Sequence, residues 1–209
     1  MEKTYPDFEN PPLIEMVCGT LFKPIHNLLA PHLGLLWGEF KPEYSNCQEV
    51  APLAPVIESF EEAPTPEFQF TDVPPLPRIW FLRDDGGIIQ IQRDRFLHNW
   101  KKMNPEDEYP RYSNVIQNFR SSFSRLEAFL KSNGLGAIEP LQYEMTYVNH
   151  ILQGEGWTTF NDIGTILPDF LWRAKKPRFL PKLEAFNWRT SFVLPDRSGR
   201  LHVTIRSAI

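Results

Sequence analysis

Arg78 to Trp100 reads RIWFLRDDGGIIQIQRDRFLHNW, and its punctuation decides how the rest of the chain can fold. Two β-rich runs, Ile79 to Leu82 and Ile88 to Gln92, flank Asp84-Asp85-Gly86-Gly87, where a glycine free to take positive φ makes Asp85-Gly86 a hairpin turn. With Asp85-Gly86 as a two-residue loop, Leu82 faces Ile89 and Trp80 faces Ile91 on one side of a sheet. Phe81 then faces Gln90, and Ile79 faces Gln92, on the other. Past Gln92, unbroken alternation would put Arg93 and Arg95 on the face of Ile89 and Ile91, a costly position for two charges. A β-bulge near Arg93-Asp94 shifts the phase by one residue, sending Phe96 and Trp100 to the core, His98 between them, and both arginines outward. A histidine so placed reads as a hydrogen-bonded structural residue before it reads as a general base.

Upstream, Pro11-Pro12 introduces LIEMVCGTLF, a strand with Ile14, Met16, Cys18 and Phe22 on one face and Glu15 on the other. Pro24 suits a first helical position, and Ile25, Leu28, Leu29, His32, Leu35 and Leu36 follow at helical spacing. Pro31 interrupts that ladder, so a kinked helix or two short turns are expected, closed against the sheet by Leu36, Trp37 and Phe40. Lys41 to Pro77 holds eight prolines and seven acidic residues, which predicts a surface excursion pinned by Leu53, Val56, Phe60, Phe68 and Phe70.

Downstream, Tyr112, Val115, Ile116, Phe119, Phe123, Leu126 and Leu130 recur three or four apart. They predict an amphipathic helix from about Tyr112 to Lys131, ended by Gly134 or Gly136 and covering the core face of the sheet. Tyr143, Met145, Tyr147 and Ile151 alternate with Gln142, Glu144, Thr146 and Val148, a strand half buried against that helix. NWRTSFVLP and RLHVTIRSAI form a second hairpin around Asp196-Arg197-Ser198-Gly199, with Trp188, Phe192, Leu201, Val203 and Ile205 on its apolar side.

These elements predict an α+β protein: a mainly antiparallel sheet with the long helix and the kinked N-terminal helix packed on one face. The length of 209 residues suits one domain. It reads as strand and helix over 1–40, a proline-rich acidic surface segment over 41–77, and hairpin, helix and strand over 78–153. A basic segment and the C-terminal hairpin fill 154–209. The net charge is −4 and the pI near 5.8, so a wholly basic nucleic-acid coat is excluded. Charge is nonetheless uneven, with nine Arg or Lys against Glu184 and Asp196 from Leu171 to Ile209. Two cysteines, Cys18 and Cys47, are too few to frame a disulfide fold and are expected to be reduced. The N-terminus lacks an apolar signal core, and no run approaches the roughly 18 apolar residues of a membrane span, so a cytoplasmic protein is expected.

Combining the strand phases, the faces turned from the core present Glu15, Gln90, Gln92, Asp94, Gln142, Glu144, Thr146, Arg189, His202, Thr204 and Arg206. On a curved sheet these could line a cup for a small polar ligand, although amides and mixed charges are also what a water-facing sheet surface contains. An enzyme would use Asp94 or Glu144 as base and His98, His150 or His202 as acid. The chain has no nucleophile elbow, phosphate loop or spaced metal ligands to support that, so no catalytic residue, metal or cofactor is assigned. Trp172 to Arg189 is basic with interleaved aromatics. Arg173, Lys175, Lys176, Arg178 and Lys182 would contact phosphates there if the chain bound nucleic acid, and a solvated basic linker has the same composition.

PPLIEMVCGTLF, LLWGEF, IIQIQRDRFLHNW, YPRY and QYEMTYVNHI together resemble a sporadically distributed family of bacterial proteins without an assigned activity, over nearly the whole chain. The resemblance implies a cytoplasmic bacterial protein of an accessory or mobile-element-associated system, and supplies no reaction. Members of that family continue past a strand like RLHVTIRSAI with further strand and a helix, so a shortened C-terminus is expected here. The functional expectation is a non-catalytic module that binds a partner protein, or a second copy of itself through the C-terminal strand edge. A small polar ligand or nucleic acid is the alternative, and a hydrolase a more distant one.

Overall fold

The computed structural model describes residues 8–60, 76–168 and 183–208. The described chain divides into two compact units, one reaching to Ile57 and resuming from Leu76 to His150, the other holding Glu58 to Phe60 and the residues from Ile151 onward. The architecture is α+β.

The first unit is a six-stranded sheet of β1 (Leu13–Phe22), β2 (Asn46–Val50), β3 (Arg78–Leu82), β4 (Gly87–Gln92), β5 (Arg95–Lys101) and β6 (Pro140–Asn149). Its spatial order is β2-β3-β4-β5-β1-β6, and every neighbouring pair is antiparallel. The N-terminal strand thus lies inside the sheet, as its long apolar run requires.

The β3–β4 turn departs from the two-residue reading. Arg83 N–H donates to Gly87 O at 2.9 Å and Gly86 N–H to Arg83 O at 3.2 Å, so the loop is Asp84-Asp85-Gly86, closed by Gly86 at φ +84°. A type I turn followed by a left-handed glycine is the usual three-residue hairpin. The Asp85 carboxylate secures it, accepting from Gly87 N at 3.1 Å and from Arg83 Nε at 2.5 Å. The extra loop residue moves the register by one, and a one-residue slip turns a strand over. Leu82 therefore pairs with Ile88, Phe81 with Ile89, Trp80 with Gln90 and Ile79 with Ile91. Phe81 and Ile79 face the core, and Trp80 and Leu82 face away.

Gly86 also has no room for a side chain, since an added Cβ would strike the Lys101 carbonyl. Gly86→Ala should cost about 3 kcal/mol, the left-handed penalty plus a backbone shift. Gly134→Ala, at φ +64° with open space around it, should cost about 1 kcal/mol. Urea unfolding midpoints of the two variants check the contrast.

At Arg93-Asp94 the chain reverses instead of bulging: Gln92 pairs with Arg95 and β5 returns beside β4. Phe96 and Trp100 do reach the core with His98 between them. Arg95 lies on the opposite face, as expected, but only 7% exposed and not out in water.

Helix α1 (Ala30–Phe40) and helix α2 (Arg111–Ser132) cover the core face. Pro31 falls in the first turn of α1, where no intrahelical N–H is needed, so it opens the helix and does not kink it. The Leu29 N–H donates to His32 Nδ1 at 3.1 Å, satisfying one donor at that end. Leu36 and Phe40 are fully buried, and Phe40 meets Phe81 with ring centroids 5.7 Å apart. α2 crosses β5 and β1. Its stripe is the expected one from Val115 onward with Phe129 and Ser122 added, whereas Tyr112 is 47% exposed and lies outside it, and Phe119 and Phe123 enclose Phe96 at 6.1 and 5.7 Å.

Two segments differ from expectation. The acidic, proline-rich excursion contains β2, whose polar sequence NCQEV pairs with β3 and is almost wholly exposed. β6 pairs with β1 but is not half buried under α2. Tyr143, Met145 and Tyr147 lie on the helix side, opposite Thr20, Cys18 and Met16, and yet are 69%, 44% and 46% exposed. Cys18 is buried and Cys47 exposed, both as free thiols.

The second unit stacks Trp157 on Phe160 at 5.6 Å, with Phe186 edge-on to Phe160 at 5.4 Å. A short helix α3 (Ile163–Ile166) follows, then a hairpin of β7 (Asn187–Val193) and β8 (Arg200–Arg206). Trp188 pairs with Ile205, Thr190 with Val203 and Phe192 with Leu201, so the expected apolar face is shared, though Phe192 and Leu201 are half exposed. Phe68 and Phe70 lie outside the described residues.

Candidate functional site

Alternation and register carry a row of polar side chains onto the sheet face turned from the helices. Arg78 precedes Ile79 and so stands beside Gln92, and Gln92 stands beside Arg95. In the next row Trp80 pairs with Gln90. Gln90, Gln92, Arg95 and Asn99 are each less than a tenth exposed, so this is not a surface open to water.

Buried amides need partners, and here they find one another. Gln90 Oε1 accepts from Arg78 Nη1 at 2.8 Å and from Trp80 Nε1 at 3.0 Å, while Gln90 Nε2 donates to Asn99 Oδ1 at 2.8 Å. Asn99 Nδ2 in turn donates to Glu15 Oε1 at 2.5 Å. The chain runs from a guanidinium to a carboxylate through two amides.

The face is covered by the protein's own backbone. Gln92 reads the Leu53 peptide as a strand neighbour would, its Oε1 accepting the Leu53 N–H at 3.0 Å and its Nε2 donating to the Leu53 carbonyl at 2.9 Å. Gln92 Nε2 also reaches Asp94 Oδ1 at 2.5 Å, Arg95 Nη2 donates to Ala54 O at 3.3 Å, and Gln142 Nε2 to Val56 O at 3.3 Å. Leu53 is pinned as its sequence suggested, whereas Val56 is 63% exposed. Gln92→Leu removes both bonds to Leu53 without emptying the space. It should destabilise by about 1–3 kcal/mol, and exchange of the Leu53 amide should quicken while that of Ile89 keeps pace with global unfolding.

The expected polar set is therefore divided. Gln90, Gln92, Gln142, Glu144 and Thr146 share the non-helical face, with Asp94 at its turn. Arg189 pairs with Thr204, Ser191 with His202 and Asn187 with Arg206 on the separate hairpin of the second unit. There His202 Nε2 lies 2.5 Å from Glu58 Oε1, and Arg200 Nη1 3.2 Å from Glu58 Oε2. Arg173, Lys175, Lys176, Arg178 and Lys182 lie outside the described residues. Arg78 and Asn99 join the face without having been expected there, and Arg95, expected on it, is buried and not turned out to water. The signal for Asn99 is the two-residue reversal at Arg93-Asp94, which makes β5 a neighbour of β4, and Arg78 follows from the three-residue β3–β4 loop.

Two of the acid and base candidates, Glu144 and His98, do not converge. Glu144 lies on the non-helical face, opposite Gly19, while His98 lies on the helix side, opposite Cys18. His98 is 1% exposed; its Nε2 stands 3.3 Å from the Tyr44 hydroxyl and its Nδ1 has no hydrogen-bond partner. Burial, and secondarily the Arg83 charge, pushes its pKa down to about 4. Such an imidazole is a neutral core group at pH 7. Among the described residues no three His, Cys, Asp or Glu side chains are placed to hold a metal, and no helix is long and apolar enough to cross a membrane.

The other candidate surface is β6. It is a ten-residue strand at one end of the sheet, and among the described residues no strand pairs with its outer edge. The opposite edge, β2, has five residues and no exposed large apolar side chain. Comparison with known proteins adds nothing to this geometry: no family model, no curated protein and no solved structure matches the chain.

Proposed function

We propose that this chain is a non-catalytic interaction module that binds a partner protein by strand addition along β6, within a bacterial cytoplasmic accessory or mobile-element-associated system. One observation carries the reading: the outer edge of β6 is unpaired by any described strand while its helix-side residues Tyr143, Met145 and Tyr147 stand exposed. A long edge strand offers a row of backbone donors and acceptors, and natural sheets usually blunt such edges with charge, proline or short length. β6 carries one charged residue, Glu144, and its proline is at the first position. An added strand would gain main-chain hydrogen bonds from the edge and selectivity from the side chains beside it. The occupant that fits is an extended segment with aromatic or β-branched residues at alternate positions, which would meet the two tyrosines and the methionine on one face.

The test is co-purification from the native host with the wild-type chain and two variants. Met145→Lys on β6 should lose the captured partner, whereas Gln48→Lys on the β2 edge should keep it. Both variants should melt within about 2 °C of wild type, since each position is exposed. Capture unaffected by Met145→Lys, or lost equally in Gln48→Lys, would refute the assignment of the interface.

A further inference from the structure

Hydrogen bonding in the neighbouring ladder fixes which β6 residues address the open edge. Lys102 N–H donates to Ile14 O at 2.8 Å and Phe22 N–H to Asp94 O at 3.0 Å. In the β1–β5 ladder this makes Glu15 with Lys101, and Leu21 with Arg95, pairs of the non-hydrogen-bonded kind. The backbone groups of Glu15 and Leu21 therefore point the other way, toward β6, as do those of Val17 and Gly19 between them. Their β6 partners Val148, Thr146, Glu144 and Gln142 direct their own N–H and C=O groups at β1. Tyr143, Met145 and Tyr147 alternate with these, so their N–H and C=O groups point out of the sheet. The three exposed side chains and the outward backbone groups thus belong to the same residues.

A strand so arranged fits a second copy of itself. Two-fold pairing sets residue i opposite residue j and j opposite i. For Pro140–Asn149 the overlap is longest with the axis at Glu144 or at Met145. An axis at Glu144 sets two carboxylates against one another, which destabilises the pair. An axis at Met145 instead puts Glu144, the strand's one charged residue, opposite the second copy's Thr146, and leaves Pro140, which has no N–H to donate, outside the paired run. Met145 then meets Met145, and Tyr143 meets Tyr147. These reciprocal pairs supply about six main-chain hydrogen bonds, with aromatic and thioether side chains packed side by side on the helix side.

We infer that the β6 edge pairs with the β6 edge of a second copy of this chain, antiparallel about a two-fold axis at Met145, so that the two six-stranded sheets become one. The inference rests on the strand-addition reading and names its partner. The outer edges of the joined sheet are the two β2 strands, short and polar, so the pairing closes at two copies.

Sedimentation velocity of the full chain across the micromolar range tests it, with Met145→Lys, Met145→Glu and Gln48→Lys beside wild type. Wild type and Gln48→Lys should show a reversible monomer–dimer equilibrium. Met145→Lys and Met145→Glu should each dimerise at least about tenfold more weakly, since residue 145 meets its own charge across the axis. An equimolar mixture of those two variants should associate more tightly than either alone, because at a position that faces itself the mixed pair brings opposite charges together. A wild-type chain that stays monomeric, a dimer indifferent to both Met145 variants, or a mixture no tighter than its components would overturn the inference. Capture from the host separates this failure from that of the broader reading. A monomeric chain that takes a different protein in a Met145-dependent way refutes self-pairing and keeps strand addition, whereas a monomer that captures nothing refutes both.

Discussion

Phe81→Ala should lower the stability of the sheet unit by about 3–5 kcal/mol, as large-to-small changes in closed cores do. Phe81 is wholly buried, packs on Phe40 and stands opposite Ile89 beneath α1. Leu82→Ala should cost only about 1 kcal/mol, because Leu82 is half buried on the other face, opposite Ile88. The contrast tests the hairpin register. A two-residue Asp85-Gly86 loop puts Leu82 in the core and Phe81 outside, so Leu82→Ala would be the more damaging change; the three-residue loop makes it Phe81→Ala. Urea denaturation at pH 7 distinguishes them, and equal losses would contradict the three-residue turn.

The second large effect is a pH dependence centred on His98. Its folded pKa of about 4 lies below the ordinary value of 6.5, so the folded state favours the neutral ring and the unfolded chain binds the proton first. The stabilisation is therefore complete above about pH 6.5 and is lost progressively as pH falls toward 4, by about 3 kcal/mol over the window. Carboxylates also titrate near its lower end, so the useful quantity is the difference between wild type and His98→Leu, which has no proton to take up. The wild-type urea midpoint should fall more steeply than the variant's between pH 7 and pH 4.5. Parallel curves would mean that the ring is not held neutral by burial.

The long helix was legible because the residues from Val115 to Leu130 repeat at helical spacing over about four turns, and no other element suits such a pattern. β4 was legible for the corresponding reason at period two. β3 was misread by a single loop residue. The glycine was rightly given positive φ, but the Asp85 carboxylate, which holds Arg83 and Gly87 together, favours three residues over two, and local composition does not show that bond. β2 was invisible because its side chains bury almost nothing, its place being set by backbone pairing with β3. The polar face was half legible. Gln90 and Gln92 were assigned to it from alternation, but the backbone lying across them comes from residues about forty positions earlier, a distance over which strand phase carries no information. Pro31 shows the same limit in a helix, where the residue that breaks an interior begins a first turn.

The exposure of Tyr143, Met145 and Tyr147 could not be read from their alternation, which is the pattern of a half-buried strand. It follows from where α2 stops covering the sheet: the helix crosses β5 and β1 and leaves β6 beyond it. That misfit between an apolar pattern and an open position is the basis for placing a partner there.

Amide hydrogen exchange on the chain alone and with its captured partner tests the assignment most directly. In the free chain, β6 amides directed away from β1 should exchange faster than their inward neighbours, giving alternation along Pro140–Asn149. With partner bound, protection should rise at those outward amides. Protection that rises instead on β2 or on the β7–β8 hairpin, with β6 unchanged, would contradict strand addition at this edge.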